Sequence, residues 1–274
     1  MSSTVETPAT PANYKVTLPR VVKSEWIKLR TLRSTYWTLI IAVALMVGLG
    51  VLFCWGVAAT FDANTPEQQE AIRPQLVGLP TGGMLLAQLA MGVLGVLTFS
   101  GEYPNQMIRA TFAAVPKRLP VLWAKLIAFG IAAFLSMFIA TLAAFLIGQA
   151  ILSTKDLGVS LGSPGSWQAV LGTAVYLTGI GLMGVGLGAI LRRTPAAISA
   201  LVGLVLILPI MLNILPFDWT KQLIKYLPDQ AGQSFMSSST SSDALSMWTG
   251  VAVFCAYIVV FAVGAALLLK RRDA

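Results

Sequence analysis

The chain has 274 residues, of which 56% are hydrophobic and only 11% charged, and its mean hydropathy is +0.77. This composition excludes an ordinary water-soluble globular domain. The formal net charge of +8 invites a nucleic-acid reading, which the placement of the basic residues excludes below.

Residues 1–18 (MSSTVETPATPANYKVTL) are rich in Ser, Thr, Pro and Ala, with little to bury, and predict a disordered arm. From Val21 the pattern changes, and 19–35 reads as an amphipathic helix lying in the membrane interface. At 100° per residue Val22, Trp26, Leu29, Leu32 and Tyr36 share one arc, with Lys23, Ser24, Arg30 and Thr31 opposite. Trp26 is expected at headgroup level, with Lys28, Arg30 and Arg33 among the basic residues near anionic lipid. Two residues break the pattern: Ile27 falls on the polar side and Glu25 on the apolar side, where it needs a cationic partner.

Six apolar blocks follow within a single membrane domain over 36–272: 36–58, 79–100, 121–152, 167–191, 195–216 and 245–269. Each is long enough to cross a hydrocarbon core of about 30 Å as a helix. Apart from Lys125 none contains a charged residue. Backbone groups in lipid must be satisfied inside their own segment, and short alternating strands are missing, so the chain reads as an all-α integral membrane protein with six transmembrane helices. The first block is preceded by about 35 residues and exceeds a leader's apolar stretch, so it is expected to stay as an anchor.

Alternate connections divide the charge. Fifteen of the 19 basic residues fall on the arm, the second and fourth connections and the tail, whereas seven of the 11 acids fall on the other connections. The positive-inside rule therefore predicts both termini in the cytoplasm, so that the net charge reports topology and not nucleic-acid binding. A multi-pass protein of the plasma membrane with lipids as partners is expected. Cys54 and Cys255 lie inside apolar blocks and read as packing residues.

The fourth block holds glycines 172, 179, 181, 184, 186 and 188. Gly184 and Gly188 form a small-xxx-small pair for close helix packing, within one subunit or at a dimer face. Pro209, Asn213 and Pro216 predict a kinked or broken outer end for the fifth block. The apolar stretch WTKQLIKYLP after it is too short to span, and it either dips back into the outer leaflet or lies along it.

There is no histidine, which removes Ser/His/Asp and Cys/His catalysis and His-based zinc chemistry together. No acid pair lies within the apolar blocks, and their interiors hold no titratable relay for ion coupling; Gln88, Gln149 and Asn213 are their notable amides. No Gly-Lys-Ser/Thr occurs, so a nucleotide-driven activity calls for a separate ATPase chain. No catalytic site, metal site or cofactor is expected in this chain.

The most elaborate cytoplasmic connection, GEYPNQMIRATFAAVPKRLPVLWAK, has features of a docking element. Pro104 suits the first turn of a short helix, with Glu102 near its positive end and Met107, Ile108, Thr111 and Phe112 on one face. Pro116 and Pro120 close it. Flanked by Arg109, Lys117 and Arg118, it either docks into a groove on another protein or lies on lipid.

Two segments resemble the permease subunits of bacterial type-2 ATP-binding-cassette exporters: SEWIKLRTLRSTYW, and the second connection, which includes Tyr103 and has Glu102, Arg109, Thr111, Pro116, Arg118 and Lys125 at similar spacing. The resemblance implies that Glu25 to Arg33 lies on the inner membrane face and that Glu102 to Arg118 forms a coupling helix contacting the ATPase. It also places an outer-facing re-entrant helix at roughly 217–227. It implies a second permease copy, as homo- or heterodimer, and a separate ATPase that carries the ATP and Mg. A membrane-embedded regulatory protein is the main alternative reading, and a channel or ion-coupled carrier the next.

Overall fold

The computed structural model describes residues 17–104, 106–115, 117–237 and 244–271. Most of the expected disordered arm, Pro116, Arg272 and the side chain of Phe112 lie outside the described residues. Among the described residues the elements are helices, and six are long and apolar enough to cross a membrane. The protein is an all-α integral membrane protein.

Helix α1 (Leu18–Thr31) has Pro19 in its first turn, where a missing N–H leaves no bond unmade, and Lys28 and Arg30 in its last, against the negative end of the dipole. It ends sooner than the expected 19–35. Leu32 takes an extended backbone (φ −75°, ψ 119°), and α2 (Arg33–Thr60) starts at once, three residues before the predicted Tyr36. This elbow lets α1 leave the direction of the spanning helix. The inward arc of α1 also differs from prediction. Val21 and Glu25 are buried, Val22, Trp26, Leu29 and Lys28 are half-buried, and Leu32 and Tyr36 are exposed. Ile27 is 52% exposed, as its place on the polar side requires.

After the short α3 (Pro66–Ile72), α4 (Met84–Ser100) returns across the membrane. It is followed by α5 (Met107–Ala114) and the 35-residue α6 (Leu119–Ser153). At 1.5 Å per residue α6 exceeds the hydrocarbon thickness and protrudes from it.

The centre of the fold is α7 (Ser166–Leu191), with 78% of its most apolar window buried. Its glycines permit contact between helix backbones. A Cβ on Gly184 would stand 2.5 Å from the Gly92 carbonyl oxygen, one on Gly188 2.7 Å from that of Val96, and one on Gly95 would run into that of Gly181. Both members of the Gly184–Gly188 pair thus face α4 of the same chain. Helices α2 and α6 pack against this α4–α7 pair.

The fifth span is built from α8 (Thr194–Val202), a π turn at Gly203–Ile207 and α9 (Leu208–Ile214). The slip in hydrogen-bond register directly precedes Pro209, whose ring and missing N–H disfavour an uninterrupted α-helix. Beyond it, α10 (Asp218–Ile224) lies on the surface, with Trp219, Leu223 and Tyr226 about half exposed. The segment that packs back into the bundle is α11 (Pro228–Met236), where Ala231, Gly232, Phe235 and Met236 are buried. It lies beyond the 217–227 stretch that the resemblance gives to an outer-facing re-entrant helix, and its small Ala231–Gly232 face, with Gly232 against the Tyr176 ring, fits it to the bundle. Finally α12 (Met247–Arg271) packs on α7 and α11. Cys54 is buried and Cys255 exposed, and both are free thiols.

Candidate functional site

At the basic end of the bundle, four charged side chains from three elements meet. Lys125, in the first turns of α6, donates to Glu25 Oε2 of α1 at 2.7 Å and to Glu102 Oε1, just beyond α4, at 2.6 Å. Its third bond goes to the Thr98 carbonyl at 3.2 Å. Lys28, one turn from Glu25 on α1, donates to Glu25 Oε1 at 2.8 Å, Glu102 Oε1 at 3.1 Å and Thr111 Oγ1 of α5 at 3.2 Å. Lys125, Glu25 and Glu102 are 2%, 3% and 8% exposed. Two carboxylates against two ammonium groups make the cluster neutral, which is how Lys125, Glu25 and Glu102 can be held away from water while Lys28 stays half-buried.

This cluster supplies the cationic partner that Glu25 needed, and it explains the rotation of α1. Glu25 and Lys28 turn inward, taking Val21 with them and leaving Trp26 and Leu29 half-buried. Burial acts to lower the pKa of Lys28, but the hydrogen bonds and charges of Glu25 and Glu102 outweigh it, and the group is held above its usual value. Lys28 therefore faces protein carboxylates rather than lipid phosphates, whereas Arg30 and Arg33 are exposed.

The docking connection differs from its predicted form. Its helix starts at Met107, after Gln106 in a left-handed conformation (φ 55°), so Pro104 lies in the turn before it rather than in its first turn. Glu102 is not at the helix dipole but in the cluster. The predicted face also splits. Ile108 is buried, Thr111 reaches Lys28, and Met107 is 39% exposed, while Pro104 and Arg109 are exposed. Behind the connection, Tyr103 lies under the guanidinium of Arg192, 5.8 Å from its ring centre. Burial pushes the Tyr103 phenol up, and the Arg192 and Arg118 charges oppose that shift. Ser100 and Thr194 share a 2.8 Å hydrogen bond, tying the end of α4 to the start of the fifth span.

The notable amides of the apolar blocks, which suit either a pathway or helix packing, have local partners. Gln149 donates to the Leu76 carbonyl at 2.9 Å and accepts from the Val159 amide at 2.8 Å, fastening two connections at the acidic end. Asn213 is exposed and donates to the Pro209 carbonyl at 2.9 Å. Gln88 is 2% exposed and accepts from the Tyr176 hydroxyl at 2.5 Å. Nearby, Asp229 accepts from Gln230 and Gln233; burial pushes its carboxyl up, and these bonds and the Tyr176 hydroxyl pull it down. Tyr176 and Asp229 were not singled out from the sequence, although a tyrosine in a glycine-rich buried span is a signal for a paired hydroxyl.

Gln88, Gln149 and Asn213 do not line the cavity of about 540 Å³ at the acidic end. Its walls include Phe53, Thr81, Met84, Gln233 and Met236 from α2, α4, α11 and the connection before α4. A second cavity, of about 250 Å³, adjoins the charged cluster.

A family model described as ABC-2 family transporter protein matches residues 21–215, which contain the whole cluster and the first five spans. No curated protein sequence matches the chain.

Proposed function

The chain belongs to the ABC-2 family of transporter proteins and is a multi-pass permease component of an ABC-type transporter; from that membership we propose that it moves its cargo outward with ATP hydrolysed on a separate ATPase chain. The observation that carries this reading is the grip of Lys28 and Lys125 on Glu102 and Thr111. Through these bonds the docking connection is joined to α1 and α6 by buried charge-assisted hydrogen bonds, which are stronger than neutral ones.

In this reading the basic end is cytoplasmic and both termini lie there, following the bias of Lys and Arg. The ATPase meets the exposed side of α5, where Arg109 stands. Closure of two ATPase chains around ATP pushes α5, and the rigid cluster passes the displacement into α6 and α1. The 540 Å³ cavity then lies at the outward end, where its mixed apolar and amide walls suit a hydrophobic or amphipathic cargo. A second permease copy completes the pathway.

The test is mild extraction of the tagged chain, identification of the chains that accompany it and ATP-dependent transport by the reconstituted assembly. Recovery of a P-loop ATPase together with ATP-driven efflux supports the reading. An associated ATPase with no movement of cargo would make the chain a membrane anchor or regulator instead.

A further inference from the structure

The hydrogen-bond inventory of the charged cluster closes except at one atom. Each ammonium can donate three bonds, and all six are used: Lys28 to both carboxylates and Thr111, Lys125 to both carboxylates and the Thr98 carbonyl. Both oxygens of Glu25 accept, and Oε1 of Glu102 accepts twice. Oε2 of Glu102 is buried and has no partner among the described residues. The shortfall is therefore a donor. An anionic group finds no free ammonium hydrogen here, whereas a group bearing N–H satisfies the orphan oxygen.

The adjoining cavity gives that donor somewhere to sit. It holds about 250 Å³, and Glu25, Lys28, Glu102 and Lys125 are in its wall. A dry cavity of about 150 Å³ already accepts benzene, so a small headgroup and several chain carbons fit. The rest of the wall is largely aliphatic, with Leu29 and Leu32 on one side and Leu94 and Leu97 on the other. Ser34 begins the first span and Gly101 follows the second, and both line it, so the cavity stands at the membrane boundary. Leu32 and Ser34 are exposed at its rim, beside the α1–α2 elbow.

We propose that this cavity binds an amphipath whose head is a protonated primary amine, the ammonium donating to Glu102 Oε2 and the alkyl chain lying among Leu29, Leu32, Leu94 and Leu97. Two sources share this chemistry, a phosphatidylethanolamine of the bilayer and a free long-chain amine. The site is separate from the 540 Å³ cavity at the other end of the bundle, and it places a ligand beside the bonds that join the docking connection to α6.

The test uses the full chain in nanodiscs of equal phosphatidylethanolamine, phosphatidylcholine and phosphatidylglycerol, with retained lipid measured by native mass spectrometry. Phosphatidylcholine is the key comparison, because its quaternary ammonium has no N–H. We expect about tenfold preference for phosphatidylethanolamine, the worth of one charge-assisted hydrogen bond. Leu97→Phe and, from the opposite wall, Leu32→Trp fill the cavity without touching a charge, and both should abolish the preference while the lipid-free unfolding midpoint stays at the parent value. Equal retention of the three lipids, preference for phosphatidylglycerol, or a preference surviving in both variants overturns the proposal. Dodecylamine is then added, with dodecanol and ethanolamine as controls. Displacement by dodecylamine alone assigns the site to free amines as well as lipid; no displacement assigns it to the bilayer lipid.

Discussion

Lys125 Nζ lies 2.7 Å from Glu25 Oε2, a buried ion pair between residues 100 positions apart in the chain. It fixes α1 to α6 at the level where the membrane ends, and Glu102 shares the same ammonium. Removing one member of such a group leaves the others charged, buried and unpaired. Lys125→Met is expected to destabilise the protein by about 3–5 kcal/mol. Adding Glu25→Met should recover much of that loss, because Glu102 retains Lys28 and an apolar pair replaces the ionic one. Unfolding in detergent measures both variants, and a double variant no more stable than Lys125→Met would show that the pair does not act as a unit.

Lys28 gives the cluster a pH dependence. Its pKa in the folded protein is held above the ordinary 10.5. A group raised in the folded state contributes its stability in full below the unfolded pKa and loses it as the pH climbs through the folded one. The stability difference between the parent and Lys28→Met should thus be level from pH 7 to 9 and shrink above about 10.5. Unfolding midpoints from pH 7 to 11.5 check this, and a difference that grew with pH would reverse the sign.

The six spans were legible because lipid demands long uninterrupted apolar runs, a signal that survives without any contact information. Glu25 and Lys125 were each legible as exceptions, one on an apolar arc and the other the lone charge in an apolar block. Their pairing was not, since nothing local relates two residues so far apart. Lys28 was hidden by its position among basic residues at an interface, where lipid is the default partner. The buried helix Pro228–Met236 was passed over for a neighbouring stretch of greater apolarity, because a face of Ala231 and Gly232 packs by being small rather than by being hydrophobic. The orphan oxygen of Glu102 belongs to three-dimensional bookkeeping and has no sequence signature.

The orientation assigned to the two ends is open to direct labelling. In a Cys255→Ala background, Glu70→Cys places a thiol on an exposed residue of the acidic end and Lys117→Cys one at the basic end. A membrane-impermeant maleimide applied to intact cells should label the first and leave the second untouched until the membrane is opened. The opposite pattern would invert the topology and move the proposed ATPase contact to the wrong side.

The α4–α7 contact tolerates no added atoms. Gly95→Ala would set a methyl group against the Gly181 carbonyl, backbone against which nothing can rotate away. It should destabilise the fold by at least about 1–3 kcal/mol. Gly48→Ala, with no atom within 4 Å of the new methyl, is the matched control and should be neutral or better. Folded yield after extraction distinguishes them, and equal yields would mean that the two helices are not packed this closely.

Arg109 separates docking from stability in a way that Glu102 cannot. Truncating Glu102 disturbs a buried cluster, so a loss of transport there conflates coupling with folding. Arg109 is exposed on α5, and its removal leaves the cluster intact. If α5 enters a groove on the ATPase, Arg109→Ala loses an interfacial arginine of the kind worth about 2 kcal/mol, or more than tenfold in affinity. The variant should unfold at the parent midpoint, retain its lipid and recover less ATPase on purification, and efflux should fall in step. Full ATPase recovery and full efflux would remove α5 from the interface and send the search to the other exposed surfaces of the basic end.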